Sequence, residues 1–135
     1  MDRTILEVQN LSGGYGDLII VRNISLSVYN GNTVSITGRN GVGKTTLMRL
    51  ISGSLLLTSG KVNFLGNSIA EVPEHKRFNL GMSYAPQERI VFDNLSVKDN
   101  LTLHYLETDL DRYSNLFEKF PRLHERLGQR AGTLS

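Results

Sequence analysis

The run Gly38-Arg39-Asn40-Gly41-Val42-Gly43-Lys44-Thr45 sets glycines, a lysine and a threonine at the spacing G-x-x-x-x-G-K-[ST]. Glycine reaches backbone conformations closed to other residues, so such a loop can curl and aim its N–H groups inward at phosphate oxygens. A helix beginning at Lys44 would add its own N-terminal N–H groups and the positive end of its dipole. From there Lys44 can reach the β- and γ-phosphates of a nucleotide, and the Thr45 hydroxyl can ligate Mg²⁺. The competing reading is a glycine-rich strand-to-helix turn carrying a solvated lysine. The elements on either side favour the first.

Before the loop, Thr33-Val34-Ser35-Ile36-Thr37 has the β-branched composition of a strand, stopped by Gly38. After it, Leu47, Leu50 and Ile51 fall at i, i+3 and i+4, one face of a helix, and Gly53 suits its C-terminal cap. Further upstream, Ile5 to Val8 reads as a strand and Ser12-Gly13-Gly14 as a turn. Leu18 to Val21 is apolar, Ile24, Leu26 and Val28 alternate with polar residues, and Asn30-Gly31 marks a tight turn. Downstream, Lys61 to Leu65 and Gly81 to Ala85 read as strands. The remainder turns helical. Ser96 with Asp99 resembles a capping box ahead of Val97, Leu101 and Tyr105, and Tyr113, Leu116, Phe117 and Phe120 share a second helical face. The fold class expected is α/β.

Composition removes several classes. Apolar residues make up 39 %, and the 13 glycines raise the share to about 49 %, an ordinary globular value of ~45–50 %. At 135 residues the chain is one domain's worth. The net charge of +2, with no basic block, gives no reason to expect a nucleic-acid partner. Without cysteine there is no disulfide and no thiol nucleophile. The apolar runs Leu18 to Val21 and Leu55 to Leu57 are far short of the ~18 residues of a membrane span, and the N-terminus lacks a signal-peptide stretch. A soluble, cytoplasmic chain with no membrane insertion of its own is expected.

Other candidate residues carry less. No Asp-x-x-Gly or Asn-Lys-x-Asp occurs, which argues against a GTPase. Ile90-Val91-Phe92-Asp93 is an apolar run ending in Asp, but Asn94 follows where a catalytic Glu would be needed. His75, His104 and His124 share no spacing and read as surface or packing residues. Leu11-Ser12-Gly13-Gly14 reads as the turn leading into Tyr15.

The wider pattern resembles the ATP-binding subunits of ABC transporters, over the whole chain and in the family's motif order. Gly38 to Leu47 resembles the Walker A segment, so the resemblance implies that Gly38, Arg39, Asn40, Gly41, Val42, Gly43, Lys44, Thr45 and Thr46 hold ATP. Tyr15, 23 residues before Gly38, resembles the aromatic A-loop residue that stacks on adenine. Gln87, in Tyr84-Ala85-Pro86-Gln87, resembles the Q-loop glutamine, which would touch Mg²⁺ and the attacking water. Leu134-Ser135 resembles the opening of the Leu-Ser-Gly-Gly-Gln signature. Within the family, Arg39 to Val42, Gln87 to Phe92, Leu95 to Leu101 and Phe120 to Leu123 look most like the ATPase subunit of branched-chain amino-acid importers, with the urea-importer subunit close behind. Glu88 departs from the glycine usual after the Q-loop glutamine.

The resemblance implies a P-loop NTPase fold with ATP and Mg²⁺ as ligands, Lys44 and Gln87 in catalysis, and Thr45 and Gln87 at the metal. It implies partners in transmembrane permease subunits and a second ATPase subunit, on the cytoplasmic face of the membrane. Residues 1–135 are then the N-terminal part of one ATPase domain: 1–32 the β-subdomain strands and A-loop, 33–95 the core from Walker A to Q-loop, 96–135 the start of a helical subdomain. An apolar patch is expected on that subdomain, where it meets the permease. The Walker B carboxylates, D-loop and switch histidine are expected beyond Ser135, so the parent hydrolyses ATP and these residues alone do not. A nucleotide-binding remnant without turnover and a small P-loop kinase stand as alternatives.

Overall fold

A long β-hairpin organises the first half of the chain. In the computed structural model, which describes residues 3–88, 90–103, 105 and 109–134, β1 (Thr4–Tyr15) and β2 (Leu18–Tyr29) run antiparallel, with Tyr15 opposite Leu18. Gly16 and Asp17 form the connection, and Gly16 takes φ 56°, a left-handed value suited to glycine. β3 (Leu57–Phe64) pairs on the other side of β1 and β4 (Asn67–Ser68) on β3, giving the order β2-β1-β3-β4 with every neighbour antiparallel. The chain divides into two units, one ending at Ala85 and one beginning at Pro86.

In the first unit α1 (Lys44–Ser52) buries Leu47, Leu50 and Ile51 against Val8, Leu11 and Val21 of the hairpin and Val62 of β3. Val8 and Leu11 are three apart, so in a regular strand they would face opposite ways. The register of β1 shifts between them, at Asn10 with φ 47°, and this irregularity returns Leu11 to the core face. Gly13 is buried directly beneath the helix: a Cβ there would meet Leu50 Cδ2 at 2.5 Å. The expected turn at Ser12-Gly13-Gly14 is therefore incorrect. These residues continue β1, their glycines admitting a close neighbour, and the reversal comes at Gly16-Asp17.

α1 ends as its sequence indicates, with Gly53 left-handed and its N–H donating to the Arg49 carbonyl. Beyond β4, the short α2 (Glu74–Arg77), which has no clear periodic signal in the sequence, sends Arg77 back under the helix end.

Two expected strands do not form ladders. Thr33–Thr37 pairs with no strand among the described residues and is exposed throughout. Its β-branched alternation suits a strand, but a ladder needs a neighbour's N–H and C=O groups, and no described strand pairs with it. Residues 81–85 likewise lie outside every described strand.

In the second unit, Ser96 and Asp99 form the reciprocal capping box, Ser96 Oγ accepting from the Asp99 N–H at 3.0 Å, and start α3 (Val97–Thr102). The helix ends at Thr102, short of Tyr105. Backbone bonds tie its entry to the end of the chain: Val97 N–H to Gln129 O, Ala131 N–H to Leu95 O, and Gly132 N–H to Asp93 O, each 2.9–3.0 Å. The second helical face begins in a 3-10 turn at Asp111–Tyr113 and continues in α4 (Ser114–Lys119), and a further helix, α5 (Pro121–Glu125), follows it. Pro121 disfavours helical backbone at Phe120, which takes φ −129°, ψ 68°. His124 stacks on Phe117 with centroids 4.7 Å apart, and His75 is exposed on α2; His104 lies outside the described residues. No described helix is long and apolar enough to cross a membrane.

Candidate functional site

The loop 38–43 follows the exposed segment 33–37 and enters α1 at Lys44. Two of its glycines carry the curl: Gly41 has φ 79° and Gly43 φ 110°, both strained for any side chain. Gly43 is also the N-cap. It supplies no side-chain acceptor, and no acidic residue occupies the first turn. Among the described residues, the first N–H groups of α1 and the positive end of its dipole therefore meet no capping side chain, the arrangement that receives an anion.

Lys44 reaches back over the loop. Its Nζ donates to the Gly38 carbonyl at 2.6 Å and to the Arg39 carbonyl at 2.7 Å. The ammonium thus sits across the loop it follows, held by neutral acceptors that an anionic oxygen would outcompete. Thr45 is exposed at the first turn, while Thr46 is buried. Arg39, Asn40 and Val42 are exposed on the loop. Beside Gly43 and Lys44 a recess of about 380 Å³ opens between Ile20 and Val21 of β2 and Ile36 and Thr37.

Tyr15 ends β1 with 44 % of its surface exposed. Its hydroxyl accepts from Arg49 Nη1 of α1 at 3.1 Å, which places the aromatic ring on the same helix that begins the phosphate loop. Neither Arg49 nor Ile20 stands out in the sequence. Arg49 is four residues after Thr45, so α1 lines the two up, but no local pattern announces a partner 34 residues upstream. Gln87 belongs to the second unit, exposed on a bend just after Pro86. The site assembled here is that of the first unit: Gly38 to Thr46 with Tyr15 alongside. Among the described residues no cluster of three or more His, Cys, Asp or Glu side chains could hold a metal ion. The donor set at α1 suits phosphate, and the Thr45 hydroxyl is exposed in the helix's first turn.

Glycine curl, lysine and uncapped helix together are the marks of a P-loop protein of the α/β class. The family described as "ABC transporter" matches residues 21–135, and the chain belongs to that family. It is 34 % identical over 97 % of its length to the high-affinity branched-chain amino acid transport ATP-binding protein BraG of Pseudomonas aeruginosa. It is likewise 34 % identical over 97 % to a probable branched-chain amino acid transport ATP-binding protein, LivF, of Archaeoglobus fulgidus. The chain spans 58 % and 57 % of those two relatives' lengths. Further relatives are named for phosphonate import and lipopolysaccharide export. A solved putative ABC transporter ATP-binding protein from Pyrococcus furiosus superposes with a TM-score of 0.75 at 31 % identity, covering 96 % of this chain and 62 % of that one. The fold is the ABC ATPase type of P-loop NTPase.

Proposed function

We propose that this chain binds Mg·ATP and is the nucleotide-binding portion of an ATPase subunit that drives import of a small solute through a membrane permease. The observation that carries the reading is the Lys44 ammonium poised over a loop whose helix N-terminus has no side-chain cap. Bound triphosphate would exchange the Gly38 and Arg39 carbonyls for phosphate oxygens at Lys44 Nζ, and the α1 amides would stabilise charge on the transferring phosphoryl group. Mg²⁺, held through the Thr45 hydroxyl, would supply further charge neutralisation there. Tyr15 stacks on the base. Gln87, by the family resemblance, orients water and metal.

The names of BraG and of the archaeal relative favour branched-chain amino acids as the solute. The subunit works as a dimer with a second ATPase subunit, peripheral to the membrane on the cytoplasmic face. Leu103, Tyr105 and Phe120 of residues 96–135, exposed at 48 %, 40 % and 58 %, offer the permease apolar surface. In this reading residues 1–32, 33–95 and 96–135 are the β-subdomain, the core from Walker A to Q-loop and the start of the helical subdomain.

A second reading, binding without turnover by these 135 residues, is favoured by one feature. The apolar run that leads into an acid at Ile90 to Asp93 lacks the following glutamate.

Titration with a fluorescent ATP analogue tests the first point. A charge-assisted hydrogen bond contributes about 1.5–3 kcal/mol, so Lys44→Ala weakens binding about tenfold or more. Equal affinity in both proteins overturns the assignment. Phosphate release above the Lys44→Ala background separates turnover from binding alone.

A further inference from the structure

Tyr15 is held at two points. Its backbone pairs with Leu18 across the hairpin end, and its hydroxyl accepts from Arg49 Nη1 at 3.1 Å. The backbone of Arg49 is well anchored. The residue is half-buried on α1, and its carbonyl accepts the N–H groups of Gly53 and Leu55, both at 3.1 Å, and the Ser52 hydroxyl at 3.2 Å. The same helix presents Thr45 and the phosphate loop one turn earlier. Ring and phosphate cradle are therefore referenced to one rigid element, while 44 % of Tyr15 stays open to solvent.

We propose that Arg49 is a positioning residue that fixes the Tyr15 ring as a platform for the nucleotide base and so selects nucleotides over bare polyphosphate. The inference rests on the nucleotide-binding reading above. A phenol restrained before binding loses less rotamer freedom when a base stacks on it, so the tether raises affinity without touching the ligand. The phosphate loop makes its contacts either way. The selectivity of the tether thus falls on the base.

Displacement of trinitrophenyl-ATP by ATP and by tripolyphosphate is measured on the protein and its variants. Arg49→Met keeps the apolar stem and removes the donors. Tyr15→Phe keeps the ring and removes the acceptor. Each is expected to weaken ATP about three- to tenfold. The double variant is expected to be no weaker than either single one, with tripolyphosphate unchanged throughout and Arg49→Lys restoring part of the loss. ATP affinity unchanged or tightened in Arg49→Met, an equal loss for tripolyphosphate, or additive effects in the double variant would overturn the proposal. Should Arg49→Met fail to fold by circular dichroism, Tyr15→Phe decides alone. Lys44→Ala and Tyr15→Ala separate the failures. If Lys44→Ala leaves ATP binding intact, the nucleotide reading falls. If only Tyr15→Ala is silent, the platform falls and the phosphate loop stands.

Discussion

The Arg77 guanidinium donates through Nη1 to the carbonyl of Ile51 at 2.6 Å, closing the C-terminal end of the helix that begins at the phosphate loop. Its Nε donates to Val72 O at 2.8 Å, so one buried side chain joins α1 to the loop after β4. Burial pulls the guanidinium below its ordinary pKa and nearby Glu74 opposes this, but arginine remains charged. A cation at a helix C-terminus complements the dipole there and satisfies carbonyls that the helix itself leaves open.

Arg77→Met should therefore cost about 3 kcal/mol, because carbonyls buried around a hydrogen-bonding cation lose their partner. Urea denaturation of both proteins gives the difference. A midpoint unchanged by the substitution would mean that water serves Ile51 and Val72 equally well.

Gly13→Ala should destabilise by about 1–3 kcal/mol, the usual cost of overpacking. The new methyl would meet Leu50 Cδ2 at 2.5 Å. The contact is with the tip of a side chain, so Gly13→Ala with Leu50→Val should recover part of the loss. The thermal midpoints of the single and double variants check this, and strict additivity would show that the two positions do not touch.

The amides of Val34 to Thr37 should exchange with solvent quickly in this 135-residue chain. The segment joins no ladder among the described residues, and Val34 and Ile36 stand 46 % and 37 % exposed. An exposed β-branched segment that joins no described ladder is a template for pairing with other chains, so concentration-dependent self-association should accompany the fast exchange. Hydrogen exchange and light scattering test both. A monomer with strongly protected amides there would show that the segment finds a strand partner in solution.

Short-range features are legible in the residues that form them. Residues 38–45 specify curl, lysine and helix start through their own backbone preferences and spacing, and the face Leu47, Leu50, Ile51 with its Gly53 cap needs only helical periodicity. Ser96 and Asp99 are three apart, so their capping box is likewise local. Pro121 is equally visible, and the helical face Tyr113 to Phe120 ends on the residue before it. The ring's effect on Phe120 divides the helical stretch between α4 and α5.

What lies beyond the sequence depends on which segments come to lie side by side. The shift at Asn10 that puts Val8 and Leu11 on one face is set by pairing on both sides of β1, and without it Ser12 to Gly14 read as a turn. Arg77 stands in a polar stretch, with nothing local to mark it as buried. Its burial follows from the approach of the α1 terminus, 26 residues away in sequence. The reach of Arg49 to Tyr15 is equally hidden, and so is the lack of a ladder at Thr33–Thr37, whose composition records a strand preference but not the presence of a neighbour. Turn chemistry and periodicity act over a few residues and are written in them. Strand partners and long-range hydrogen bonds exist only once the chain has brought distant residues together.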